Sequence, residues 1–87
     1  MKEAVAMTLN EAFAIRTKEL LKEKNMTQYK LCQETGLYPS TMNYILHART
    51  KASNFKSMAL IIRALGVSIT EFFDCPVFEF DNLEIEE

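Results

Sequence analysis

Glycine and proline are scarce in this sequence, with two of each in 87 residues, and tryptophan is absent. Glycine and proline mark most turns and interrupt helices, so their scarcity favours a chain in which helices dominate. Long alternations of polar and apolar residues, which are typical of strands, are also missing from the body of the chain. The sequence therefore predicts an all-α fold.

Residues suited to metal binding or catalysis are equally few. Cys32, Cys75 and His47 are the only cysteines and the only histidine, too few for a disulfide framework or a zinc site. We therefore expect two free thiols, no metal and no cofactor. Paired carboxylates in an apolar setting, a nucleophile beside a base and a phosphate-cradling glycine loop are also missing, which favours a protein that is not an enzyme.

Long apolar runs are missing as well. None approaches the roughly 20 residues that a membrane-spanning helix needs, and the N-terminus lacks the apolar core and cleavage site of a signal peptide. The composition, 48% hydrophobic and 25% charged, is that of an ordinary globular protein of one domain. We expect a cytoplasmic location without membrane contact.

Positive charge is absent from the end of the chain. Residues 1–70 contain all ten lysines and arginines and five acids, a net charge of +5, whereas residues 71–87 contain seven acids and no basic residue. The overall net charge of −2 therefore conceals a basic body and an acidic tail. A basic body of this kind is compatible with nucleic-acid binding.

Capping residues predict where the first two helices begin and end. The segment starting at Thr8 fits a capping box, and the apolar pattern that follows continues to about Lys24. Thr27 is suited to cap a second helix over residues 28–35, which Gly36 would end in the left-handed conformation.

Three shorter helices are predicted after Gly36. The third covers residues 39–47 and begins with a proline, which suits the first helical position. Asn54 can cap a fourth helix that Gly66 ends, and a second capping box at Ser68 opens a fifth.

The predicted helices divide the chain into three parts. Residues 1–8 form an N-terminal arm, residues 9–74 a helical domain, and residues 75–87 a short acidic tail in which residues 77–80 can be extended.

The second and third helices have the spacing of a helix-turn-helix. Two helices that cross steeply need a small residue at the crossing, a turn residue that tolerates positive φ, and apolar residues that hold the second helix in place. Leu31 and Cys32 supply the anchor and the small residue, Gly36 the turn, and Met42 and Ile45 the apolar contacts. Leu31, Met42 and Ile45, with Met58 and Leu65, are expected in the core.

The chain resembles the lambda-repressor-like (Cro/repressor) helix-turn-helix proteins of bacteria and phages over about residues 10–73. The matching segments, in chain order, are Thr27-Gln28-Tyr29-Lys30-Leu31-Cys32, Thr35-Gly36-Leu37, Ser40-Thr41-Met42 and Ala64-Leu65-Gly66-Val67-Ser68. The resemblance implies a compact five-helix domain that binds double-stranded DNA sequence-specifically, as a transcriptional regulator and specifically a repressor. The chain departs from the family at Ala48, where glycine is usual, and this leaves the conformation of the following loop open.

The resemblance also implies which residues contact DNA, with the helix over residues 39–47 as recognition helix in the major groove. The implied base-facing residues are Tyr38, Pro39, Ser40, Asn43 and Tyr44, and the implied backbone contacts are Thr27, Gln28, His47, Arg49 and Lys51. An asparagine can pair with adenine through two hydrogen bonds, whereas a proline can only pack on a thymine methyl group. The alternatives are that these side chains are solvated surface groups and that His47 caps its helix. Tyr29, inside the second helix, is expected to be partly packed and not functional.

Geometry further suggests a homodimer, because one small domain contacts only a few base pairs and such proteins usually bind paired half-sites. Ile15 and the apolar residues Val77, Phe78 and Phe80 are the candidate dimer surfaces. The alternative function is a protein-interaction module, such as an antitoxin or a mobile-element adaptor, whose acidic tail binds a protein partner.

Overall fold

Five α-helices and two short 3₁₀ turns build the fold. A computed structural model of the protein describes residues 7–48 and 54–85. The helices in these ranges are α1 (Leu9–Glu23), α2 (Gln28–Thr35), α3 (Pro39–Leu46), α4 (Phe55–Leu65) and α5 (Ile69–Phe73). These residues form no sheet, and one isolated β-bridge joins Met7 to Leu83. The prediction of an all-α fold with five helices is confirmed. No helix in these ranges is long and apolar enough to cross a membrane.

Side chains predicted to cap helices do so. At α1, Thr8 Oγ1 accepts a hydrogen bond from Glu11 N at 3.0 Å, and Glu11 Oε1 accepts one from Thr8 N at 2.8 Å. Each of the other side-chain caps accepts a backbone N–H in the first turn of its helix; they are Thr27, Asn54 and Ser68. The capping box predicted at Ser68 is half formed, because only the bond from Glu71 N to Ser68 Oγ is made. Because such caps satisfy otherwise unpaired N–H groups, each stabilises its helix by about 1 kcal/mol.

Left-handed backbone conformations follow four of the helices, beginning with Asn25 (φ +57°) after α1. Gly36 (φ +77°) and Gly66 (φ +81°) follow α2 and α4, as predicted for both. Ala48, just after α3, has a φ of +53°. Alanine thus adopts a conformation that favours glycine, and its Cβ makes that conformation costly by about 1–2 kcal/mol.

We expect Ala48→Gly to stabilise the protein by about 0.5–1 kcal/mol, because the relief of the Cβ clash exceeds the entropy that glycine loses on folding. In thermal denaturation the midpoint should rise by a few degrees. The opposite exchange, Gly36→Ala, serves as control and should lower the midpoint. A Cβ at Gly36 would meet no atom within 4 Å, so that loss would report backbone strain alone. If the midpoint of Ala48→Gly falls instead, the backbone at residue 48 is not strained.

The core lies where α1, α3 and α4 meet, with α2 packed on α4 and α3. Of the predicted core residues, Leu31, Met42, Ile45 and Leu65 are buried, whereas Met58 is only partly buried. Cys32 packs at the edge of the same cluster, as the small residue of the helix crossing should. The apolar contacts predicted to fix α3 against the rest of the domain are confirmed.

Arg16 fixes α5 against α1. Its Nε donates to the carbonyl oxygen of Phe72 at 2.7 Å, and its Nη2 donates to that of Glu71 at 3.0 Å. The guanidinium carbon also lies 5.9 Å from the centre of the Phe72 ring, a cation–π distance. Arg16 therefore satisfies carbonyl groups at the end of a five-residue helix that could not stand alone.

The segment after α5 folds back on the domain. Of residues 77–80, which the sequence allows to be extended, only Glu79 is extended; the others belong to two 3₁₀ turns, Pro76–Phe78 and Phe80–Asn82. The Phe78 ring lies 4.7 Å from that of Phe73 and 6.0 Å from that of Phe72. Packing against these rings is the physical reason that the segment turns. Beyond the second turn, Glu84 N donates to Met7 O at 2.8 Å.

Candidate nucleic-acid interface

The third helix has one buried and one exposed face. Met42, Ile45 and Leu46 are each at most 5% exposed. At about 100° per residue, Ser40, Asn43, Tyr44 and His47 lie within one arc on the opposite side. All four are exposed, including half of the Tyr44 side chain. The buried face therefore fixes the orientation of the helix and presents the polar face outward.

The N-terminal turn of α3 is open. Tyr38 is its N-cap residue, but the side chain makes no capping bond, and Pro39 contributes no N–H. Tyr38 is 78% exposed, and Ser40 is also exposed. The amides of this turn carry partial positive charge with no side-chain cap, so they can meet an acceptor from outside.

The N-terminus of α2 offers a second set of donors. Thr27 is the N-cap, and its Oγ1 accepts from Lys30 N at 3.0 Å. Gln28 is the first helical residue and is exposed, so its amide side chain extends from the helix end. A helix N-terminus with a flexible amide beside it is suited to hold a phosphate group.

His47 lies at the other end of α3. It is the C-cap residue, and its Nδ1 lies 2.9 Å from Asn43 O, a hydrogen bond in which the ring nitrogen donates. The ring thus caps the helix end, the second of the two roles considered for it. Its other nitrogen is left for a second partner, so the two roles are compatible.

Charge on these two helices is low. Residues 39–46 include no charged side chain. On α2, Lys30 Nζ lies 3.3 Å from Glu34 Oε2, and both groups are about half exposed. Arg49 and Lys51, the predicted cationic contacts, lie outside the described residues. The described part of this surface therefore carries hydrogen-bonding groups but little charge.

Tyr29 was expected to be partly packed, and this expectation is wrong. It is 71% exposed, and its hydroxyl accepts a hydrogen bond from Gln33 Nε2 at 3.2 Å. The four-residue spacing of Tyr29 and Gln33 on one helix face was the signal available in the sequence. The pair enlarges the neutral polar surface around α2. In the ranges the structure covers, no three His, Cys, Asp or Glu side chains come together as metal ligands.

The fold and the exposed third helix define a helix-turn-helix protein, and comparison with known proteins agrees. The model of a family described as the Cro/C1-type HTH DNA-binding domain matches residues 16–77. The chain belongs to this family. Domains of the family bind DNA and are typically not enzymes.

A solved structure is also similar. It is the crystal structure of the prophage Lp1 protein 11, which is 27% identical to this chain with a TM-score of 0.75. The match covers 84% of this chain and 96% of the other. No curated protein sequence is similar enough to the chain to count as a match.

Proposed function

We propose that the protein is a transcriptional repressor that binds a specific site in double-stranded DNA, with α3 in the major groove. The observation that carries the proposal is the division of α3 into a buried apolar face and an exposed face of hydrogen-bonding side chains. Ser40, Asn43 and Tyr44 then face base edges, and Tyr38 and Pro39 lie at the groove entrance. This use of α3 matches the size of a major groove, which admits one helix.

Backbone contacts come from the elements around α3 in this proposal. Thr27 and Gln28 hold one phosphate at the start of α2, and His47 reaches another from the end of α3. Arg49 and Lys51 follow directly in the chain and supply the positive charge. Phosphate contacts of this kind fix the register of the recognition helix without reading sequence.

A homodimer completes the proposal, because two copies on half-sites about 34 Å apart multiply the few contacts of one domain. Binding to chromosomal DNA would place the protein in the cytoplasm or on the nucleoid. Selection of bound duplexes from a random pool tests the proposal directly. A single enriched motif with twofold symmetry is the expected result. A reporter gene with that motif over its promoter should then be repressed.

Salt dependence separates the charged contacts from the neutral ones. Each neutralised phosphate contributes about −0.9 to the slope of log affinity against log salt concentration. We therefore expect Arg49→Gln combined with Lys51→Gln to make the slope less negative by about 1.8 per protomer. Gln28→Ala, the neutral control, should weaken binding and leave the slope unchanged. Titrations at four salt concentrations measure both, and an unchanged slope in the double variant would remove these two residues from the interface.

A second candidate function is a protein-interaction module. The observation in its favour is the exposed Phe80, 79% accessible, between Glu79 and Asp81. Capture of one host protein by the wild type but not by Phe80→Ala, together with no enrichment of any DNA motif, would put this function first. Deleting the whole tail is unsuitable for the test because it removes Phe78 from the core.

A further inference from the structure

An apolar groove lies between α4 and α5. It is open, has a volume of about 570 Å³, and is lined mainly by apolar side chains, including Leu60, Val67 and Ile69. Ile69 leaves 49% of its surface exposed there. Two exposed basic residues, Lys56 and Arg63, also line the groove. Neither forms an ion pair with an acid of residues 7–48 or 54–85. The groove is thus suited to an apolar group flanked by negative charge.

The segment around Phe80 has this chemistry. Phe80 is the most exposed large hydrophobic residue in the described part of the chain, at 79%. Glu79 and Asp81, on either side of it, are exposed acids. Asn82 Nδ2 donates to Pro76 O at 2.7 Å and Asn82 N donates to Glu79 O at 2.8 Å. These bonds fix the backbone of the turn that carries Phe80, so little backbone entropy remains to be lost on binding.

Phe80 does not fill the groove of its own chain. None of the residues that line the groove comes from the two 3₁₀ turns, and the first of these turns packs on α1 instead. A second copy of the chain carries the same segment and the same groove. Contact about a twofold axis would therefore form twice, as in most homodimers.

We propose that Phe80 of each protomer inserts into the α4–α5 groove of a second copy, with Glu79 and Asp81 beside Lys56 and Arg63. This inference rests on the homodimer proposed above and names its interface. Phenylalanine is large enough to bury about 150–250 Å² at each of the two contacts. The interface is small by the standards of stable dimers, so the dimer should dissociate reversibly. Of the earlier candidate surfaces, Val77 and Phe78 are excluded as free surface because they are partly buried within one chain.

Sedimentation equilibrium of the full chain tests the apolar contact. Burial of one phenylalanine contributes about a tenfold to hundredfold change in an equilibrium constant. Because the contact occurs twice in a twofold dimer, Phe80→Ala should weaken dimerisation at least about 100-fold. Ile15→Ala is the matched control. Ile15 is 38% exposed and lines a different groove, between α1 and α3, so the variant should dimerise like the wild type.

An exchange of charges tests the polar contact. One variant carries Lys56→Glu and Arg63→Glu, and a second carries Glu79→Lys and Asp81→Lys. All four residues are exposed, so both variants should fold, as circular dichroism would verify. Each variant alone opposes like charges and should be monomeric. An equimolar mixture restores attraction at both contacts and should form a heterodimer.

The proposal is overturned by a wild type that stays monomeric at all concentrations, by a dimer that survives Phe80→Ala, or by a mixture that does not associate. Loss of the dimer in Ile15→Ala alone would move the interface to the α1–α3 groove. DNA binding is measured separately on the same proteins. A monomeric Phe80→Ala that still binds one half-site supports both proposals. If the mixture of the two charge variants dimerises but neither it nor the wild type binds DNA, this interface is retained and the proposed function is rejected.

Discussion

Replacing Phe72 by alanine is expected to lower the free energy of unfolding by about 3–5 kcal/mol. Phe72 is fully buried, and its ring centre lies 4.9 Å from that of Phe13 and 5.0 Å from that of Phe73. The ring also supports Phe78 and the guanidinium of Arg16. Alanine would leave a cavity at the one place where α1, α5 and the first 3₁₀ turn all meet.

A loss of this size is a large part of the stability of a small domain, about 5–15 kcal/mol in all. Urea unfolding followed by circular dichroism measures it. Phe55→Ala removes the same atoms from a side chain that is 65% exposed, and should change stability by less than about 0.5 kcal/mol. Phe72→Leu, which fills much of the cavity, should fall between the two. Similar losses in Phe55→Ala and Phe72→Ala would contradict the position of the core.

Asn43→Ala is expected to weaken binding to the preferred DNA site by about 1–3 kcal/mol and to relax discrimination at one base pair. Asn43 lies on the exposed face of α3, one turn beyond the open N-terminus of that helix. The substitution should not disturb the end of α3, because His47 bonds to the backbone carbonyl of Asn43 and not to its side chain. The cap at the end of α3 therefore remains when the amide is removed.

Gln28→Ala is the matched comparison, since it removes an amide from the predicted phosphate contact. It should weaken binding to every sequence by a similar factor. Both variants and the wild type are titrated against the selected site and its single-base variants. If Asn43→Ala weakens all of these sites equally, Asn43 contacts the DNA backbone and the recognition register is wrong. If neither substitution changes binding while the wild type binds DNA, α3 does not read the site.

The helices could be predicted because the signals that begin and end them are local. Thr8, Thr27, Asn54 and Ser68 each cap a backbone group no more than three residues away. Gly36 adopts positive φ readily because glycine has no side chain that would clash in that conformation. The exposed face of α3 followed from the same periodicity that placed Met42 and Ile45 in the core. Distant contacts were not needed for any of these predictions.

The features that could not be predicted depend on residues far apart in the chain. No local signal marks Arg16, because it bonds to carbonyl groups 55 and 56 residues away. Residues 77–80 lack a clear period, and their turns form because Phe78 finds an aromatic surface made by α5. Alanine at position 48 gives no local signal of positive φ, and the only indication is that the resembled family usually has glycine there.

The bridge between Met7 and Leu83 implies an order of assembly for the molecule. Met7 N donates to Asn82 O at 3.1 Å, so the first and last described segments are joined across nearly the whole sequence. We call this pairing of Met7 with residues 82–84 the seam. The entropy lost on closing a loop grows with its length, and the main helix pairs of residues 9–73, α1 with α3 and α2 with α4, close shorter loops than this seam does. We therefore expect the helices to form first and the seam to close last. The same seam can open on its own while the helical body remains folded, as a local unfolding unit of low stability.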